Sequence, residues 1–137
     1  MPNPNDKEIK QMLDTARVIA VVGHSDRPNR TSYRIANYLR DSGFKVYAVN
    51  PQLDEIDGEK SYASLDEIPE PIDIVNVFRR SIFLDGVIDD SITVKAKAVW
   101  SQLGVIDYPA GEKAEAAGLD MVMNRCILVE RERLLRN

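Results

Sequence analysis

Three stretches of the chain hold the residues best suited to grip an anionic ligand. Gly23-His24-Ser25 opens a polar loop that also carries Arg27, Arg30, Ser32 and Tyr33 and runs on to Arg34. Asn50-Pro51-Gln52 follows the run KVYAV, and Phe78-Arg79-Arg80 follows IDIVNV. A glycine lets the main chain turn sharply and approach a ligand with no Cβ in the way. Serine hydroxyls can donate to phosphate oxygens, and guanidinium groups meet them in bidentate fashion. The chemistry these residue types share is the binding of a phosphate-rich ligand.

Catalysis has less to stand on. His24 is the single histidine of the chain, and no metal-ligand spacing accompanies it. Its expected part is a side-chain or backbone contact in the binding loop. No acid, base and nucleophile can be assembled from the sequence, so the expectation leans away from an enzyme. Each binding residue also has an ordinary alternative. Arg27 and Arg30 would serve as solvated loop charges. Arg79 and Arg80 would pair on the surface with Asp73, Asp85 or Asp89, at roughly 0–1 kcal/mol each.

The elements around these stretches explain why they should converge. Val18 to Val22 is apolar throughout, as a parallel strand buried on both faces requires. Ser32 to Asp41 places Ile35, Ala36 and Leu39 on one helical face, and Ser42-Gly43 supplies a stop. Further strands are expected at Val46–Val49, Ile72–Phe78, Ala98–Trp100 and Met121–Met123, with a very short edge strand near Tyr62 and a helical turn near Leu65. Helices are expected at Asp6–Thr15, capped by Asp6 and packed across the sheet edge, and at Phe83–Thr93, Glu112–Ala117 and Leu128–Leu135. About five strands alternating with helices give an α/β fold, an open, mostly parallel sheet with helices on both faces. Ligands of such sheets bind beyond the carboxyl ends of the strands, where all three stretches lie.

Two familiar nucleotide sites are poorly matched. A dinucleotide fingerprint needs G-x-G-x-x-G, where this chain has Gly23, Ser25 and Pro28, and an acidic residue where Asn50-Pro51 stands. No G-x-x-x-x-G-K-[ST] loop occurs either.

At 137 residues the chain suits one domain, 1–137. A net charge of −4 gives no overall attraction to nucleic acid or an anionic membrane, so the basic loop is a local feature. No apolar run approaches the ~20 residues of a membrane-spanning helix. The start MPNPNDKEIK lacks the apolar core of a signal peptide, and the single cysteine, Cys126, forms no internal disulfide. A cytoplasmic setting is expected.

Taken in order, VIAVVGHSDRPNRTSYRIANYL, VYAVNP, GEKSYASLDEIPEPIDIVNVFRR, VWSQLG and AGLDMVMNRC closely resemble the small single-domain CoA-binding proteins related to the N-terminal domain of the succinyl-CoA synthetase alpha subunit. The resemblance runs from Val18 to about Leu135. It implies a Rossmann-like domain that binds coenzyme A or an acyl-CoA. The Gly23 to Ser25 loop and the segment through Tyr33 would take the phosphates. Asn50-Pro51 and Phe78-Arg79-Arg80 would border the adenosine and pantetheine portions. The chain departs from its relatives at His24, where a small residue is common, and at Gln52, where a lysine is frequent. Arg27 or Arg30 would then replace a missing contact to the 3′-phosphate. The synthetase's phosphohistidine lies outside the matched region, so ligase activity does not follow. Two other readings stay open, an NAD(P)-dependent oxidoreductase-like domain and an interaction module with a vestigial nucleotide pocket. Trp100 is expected to pack. Cys126 is expected as a small apolar residue, with a mixed disulfide to the CoA thiol as its reactive alternative.

Overall fold

A computed structural model describes residues 2–135. The chain runs α1 (Asp6–Thr15), β1 (Val18–Val22), α2 (Thr31–Asp41), β2 (Lys45–Val49), β3 (Glu55–Ile56), β4 (Glu59–Tyr62), β5 (Ile74–Val77), α3 (Leu84–Thr93), β6 (Ala98–Ser101), α4 (Tyr108–Ala116), β7 (Asp120–Val122) and α5 (Ile127–Leu135). The sheet has seven strands in the order β3-β4-β2-β1-β5-β6-β7. Every neighbouring pair is parallel except the β3–β4 hairpin.

The two strands beyond the expected five both come from 55–62, where the sequence suggests only a short edge strand near Tyr62. The hairpin turns on Asp57-Gly58, both with positive φ (51° and 82°), the Asp-Gly pairing that two-residue hairpins favour. It adds an antiparallel edge to an otherwise parallel, Rossmann-like sheet.

β1 is buried along its whole length. Its residues alternate between two apolar layers. Ala20 and Val22 join Val75, Val77 and Val99 beneath α3 and α4, through Leu84, Ile88, Ala110 and Ala114. Ile19 and Val21 join Ile74 and Trp100 beneath α1, α2 and α5, through Ile9, Leu13, Ile35, Leu39 and Ile127. Helix α1 therefore covers a sheet face beside α5, rather than crossing the sheet edge. Its cap is Asn5, not Asp6: the Asn5 side chain accepts from the Glu8 N–H, and the Glu8 carboxylate accepts from the Asn5 N–H.

Helix α4 begins four residues before the expected Glu112. Asp107 caps it by accepting from the Ala110 N–H, and Pro109 occupies the first turn, where no N–H is needed. At the amino ends of the strands, the Asp73 carboxylate accepts from the N–H groups of Arg17 (2.8 Å) and Val18 (2.9 Å) and pairs with Lys97 (3.3 Å). That single carboxylate holds the starts of β1 and β5 in register. No described helix is long and apolar enough to cross a membrane.

The connections decide where a ligand can enter. From β1 the chain crosses through α2 to β2 on one side, and from β5 it crosses through α3 to β6 on the other. Adjacent strands β1 and β5 thus send their crossovers in opposite directions, which opens a crevice at their carboxyl ends.

Candidate functional site

Gly23 and Phe78 sit at the mouth of that crevice. Gly23 has φ +88° and its N–H donates to the Val49 carbonyl at 2.9 Å, while the Phe78 N–H donates to the Val22 carbonyl at 2.8 Å. The last rungs of the ladder therefore lock three strand ends together. Beyond them opens a cleft of about 820 Å³. One wall is the loop leading into α2, with Ser25, Arg27, Arg30 and Ser32; the other is Asn50, Gln52 and Leu53, and Phe78 forms part of the floor.

The loop is held by its own serines. The Ser25 N–H donates to Ser32 Oγ and the Arg27 N–H donates to Ser25 Oγ, each at 3.0 Å. Both oxygens are used as acceptors, so each hydroxyl keeps its proton for donation. The first intrahelical bond of α2 runs from the Arg34 N–H to the Arg30 carbonyl (3.2 Å), and no side chain caps Arg30. The N–H groups of Thr31, Ser32 and Tyr33 thus precede the helical ladder, at the positive end of the helix dipole. Arg27 and Arg30 are exposed and form no ion pair among the described residues. Asp26 is the one carboxylate of the lining. Sequence reasoning missed Asp26, Asn29, Thr31 and Leu53 as lining residues. The first three lie inside the basic loop it singled out, and Leu53 enters only because the Asn50 turn folds it inward.

Asn50 fastens the opposite wall to the loop. Its Nδ2 donates to the His24 carbonyl and its Oδ1 accepts from the Gln52 N–H, both at 3.0 Å. The side chain that replaces the acidic residue of a dinucleotide site is thereby occupied in holding backbone.

His24 contributes its backbone to this site and turns its side chain away. The ring is fully buried. Nδ1 bonds the Ser25 carbonyl at 2.8 Å and Nε2 faces Arg40 Nη1 at 3.1 Å. A carbonyl can only accept and a guanidinium can only donate, so the ring is neutral with its proton on Nδ1. Burial pushes the imidazole pKa down and the Arg40 cation pushes the same way, against the raising effect of the Ser25 bond. The Tyr33 side chain also lies outside the cleft lining. Its ring makes an edge contact with that of His24 (6.3 Å between centroids) and its hydroxyl donates to Asp57.

Arg79, Arg80 and Pro51 lie beside the large cleft, outside its lining. Pro51 and Arg79 border a smaller neighbouring cavity of about 110 Å³. Both guanidinium groups stack over Phe83, Arg79 at 4.4 Å and Arg80 at 5.5 Å from the ring centroid. The surface pairing open to them in the sequence does not occur: Asp85 and Asp89 both pair with Lys113 at 2.6 Å, and Asp73 pairs with Lys97. Trp100 is fully buried and donates from Nε1 to the Arg125 carbonyl at 2.8 Å. Buried Gln102 accepts from the Ile127 N–H at 3.0 Å and so caps α5. Cys126 is half-buried and packs against the α1–α2–α5 layer, away from the cleft.

Known proteins resemble this chain over different lengths. The chain is 43% identical over 129 residues to an uncharacterized protein, YneT, of Bacillus subtilis, covering 94% of this chain and 96% of that protein. The solved structure of a hypothetical protein from Pyrococcus horikoshii superposes with a TM-score of 0.93 at 37% identity, over 96% of this chain and 93% of that one. The alpha subunit of an ADP-forming acetate–CoA ligase from Pyrococcus furiosus is 41% identical over 67 residues, which are 46% of this chain and 15% of that subunit. The family described as CoA binding domain matches residues 17–132, and with nearly the whole chain inside that match, the protein belongs to this family of CoA-binding domains.

Proposed function

We propose that the protein binds coenzyme A or an acyl-CoA without transforming it, with the phosphates held between the 25–32 loop and the Asn50–Leu53 wall. The observation that carries this reading is the uncapped start of α2. It presents the N–H groups of Thr31, Ser32 and Tyr33 beside Arg27 and Arg30 at the β1–β5 crevice. A pyrophosphate gains from both the aligned amides and the cations. Asn50 favours CoA over a dinucleotide, because its amide is spent on His24 and Gln52 and offers no carboxylate to a ribose hydroxyl pair. The departure at Gln52 leaves Arg27 or Arg30 to meet the 3′-phosphate.

A thermal-shift series with CoA, acetyl-CoA, dephospho-CoA, NAD and ATP tests the reading. CoA and acetyl-CoA should raise the melting temperature, and at a hundredfold excess over Kd linkage is worth about 2.7 kcal/mol. Dephospho-CoA should stabilise less, and NAD not at all. A larger shift with NAD than with CoA would overturn the assignment, and no shift with any ligand would favour an interaction module with a vestigial pocket.

A further inference from the structure

Five large apolar side chains stand in solvent at one corner of the molecule, at the same end of the sheet as the cleft. Ile82 is 74% exposed, Phe83 39%, Leu103 67%, Ile106 36% and Tyr108 53%. They come from two segments, the turn that follows β5 and the stretch from the β6–α4 loop into the first residue of α4. Ser81 sews the segments together: its Oγ donates to the Gly104 carbonyl (3.1 Å) and accepts from the Ile106 N–H (2.9 Å). Asn124 fixes the second segment from the far side by accepting from the Gly104 N–H at 2.8 Å. The patch is therefore a fixed surface, and such clustering of exposed apolar groups marks a binding face.

Its place relative to the cleft identifies an occupant. The phosphate-binding loop leaves β1, and the patch leaves β5 and β6, the next two strands of the sheet. Two strand spacings are roughly 10 Å, a span that an extended pantetheine arm exceeds. Arg79 and Arg80, which follow β5, stack on Phe83 at the edge of the patch. A ligand that is polyanionic at one end and apolar at the other, with a polar amide arm between, matches this order of surfaces.

Building on the CoA reading, we propose that Ile82, Phe83, Leu103, Ile106 and Tyr108 form the acyl subsite of this protein, and that its ligand is a CoA thioester of a medium-length aliphatic acid. Each methylene taken out of water is worth roughly three- to fourfold in affinity, so even a partly covered chain separates such a thioester from CoA.

Calorimetric titration of CoA and octanoyl-CoA into the full chain and into an Ile82→Ser/Leu103→Ser variant decides it. Both positions are exposed, and circular dichroism checks that the variant folds. Octanoyl-CoA should bind the wild type at least roughly tenfold more tightly than CoA, and the variant should lose that gap while binding CoA as before. Equal affinities in the wild type, or a gap that survives in the variant, would overturn the acyl subsite and leave the CoA reading standing. Failure of both ligands to bind would remove the CoA reading and the subsite with it. A wild-type dimer in sedimentation that the variant converts to monomer would assign the patch to a second copy and overturn the proposal.

Discussion

Gly23 and Phe78 meet backbone to backbone where β1 and β5 end: a Cβ on Gly23 would lie inside van der Waals contact of the Phe78 carbonyl oxygen and 3.0 Å from its carbon. The residue also holds φ +88°, a left-handed conformation that costs an L-residue about 1–2 kcal/mol. Gly23→Ala should therefore lower the unfolding free energy by roughly 2 kcal/mol or more and weaken CoA binding together with it. Urea denaturation followed by ligand titration measures both, and a variant as stable as wild type would show that the approach is looser than described.

His24 should make the loop sensitive to acid. The folded ring is neutral and its pKa is depressed, first by burial and then by Arg40. Its contribution is thus complete above the unfolded value of about 6.5 and is lost as pH falls from there toward the folded pKa. Protonation removes the acceptor for Arg40 and sets two cations 3.1 Å apart. Wild-type stability should fall between pH 7 and pH 5.5 (approximate bounds set by the free imidazole), and His24→Gln should flatten that slope whatever its absolute stability. Parallel pH profiles for the two proteins would contradict the neutral, buried ring. Acid loss from Asp73 belongs to a lower window. There desolvation raises the carboxyl pKa, but the Val18 and Arg17 amides and Lys97 outweigh it, so the net shift is downward. Its contribution is present above about 3.9 and is lost as pH falls through the depressed folded value.

Asn76 lies mid-sheet between Val21 and Trp100 in register, fully buried, and neither amide atom has a partner among the described residues. Burying an unpaired amide is costly, whereas an apolar side chain of similar volume carries no such penalty. Asn76→Leu should raise the unfolding free energy by roughly 1–3 kcal/mol. A clear loss of stability in chemical denaturation would count against this reading.

The arginines divide by position. Arg27→Ala with Arg30→Ala should weaken CoA binding about tenfold or more and flatten its salt dependence, since both cations stand free at the cleft. Arg79→Ala with Arg80→Ala should cost less, because those guanidinium groups are engaged on Phe83. The reverse ranking by calorimetry would place the phosphates on the wrong side of the crevice.

The layered α/β architecture was legible because VIAVV suits a strand buried on both faces and because Ile35, Ala36 and Leu39 recur at helical spacing. The three loops were expected to meet because each follows a strand at its carboxyl end, and Gly23, Asn50 and Phe78 do line one cleft while Pro51, Arg79 and Arg80 stand beside it. The β3–β4 hairpin was signalled by Asp57-Gly58, yet its strands are too short and too charged to show alternation. The start of α4 hid behind Pro109, which reads as a breaker until Asp107 is seen to cap it. Side-chain direction was the least legible feature. His24 looks like a ligand residue in sequence, and only the turn at Gly23 and the nearness of Arg40, sixteen residues on, send its ring into the protein. Arg79 and Arg80 point as they do because Phe83 follows one turn later.

In the proposed complex the opening turn of α2 receives the phosphates of CoA. Amide chemical shifts of the labelled protein during a CoA titration probe that contact residue by residue. The Thr31, Ser32 and Tyr33 resonances should move furthest and saturate together with those of Gly23 and Ser25. Saturable binding that leaves these amides unmoved while shifts gather elsewhere would contradict that contact.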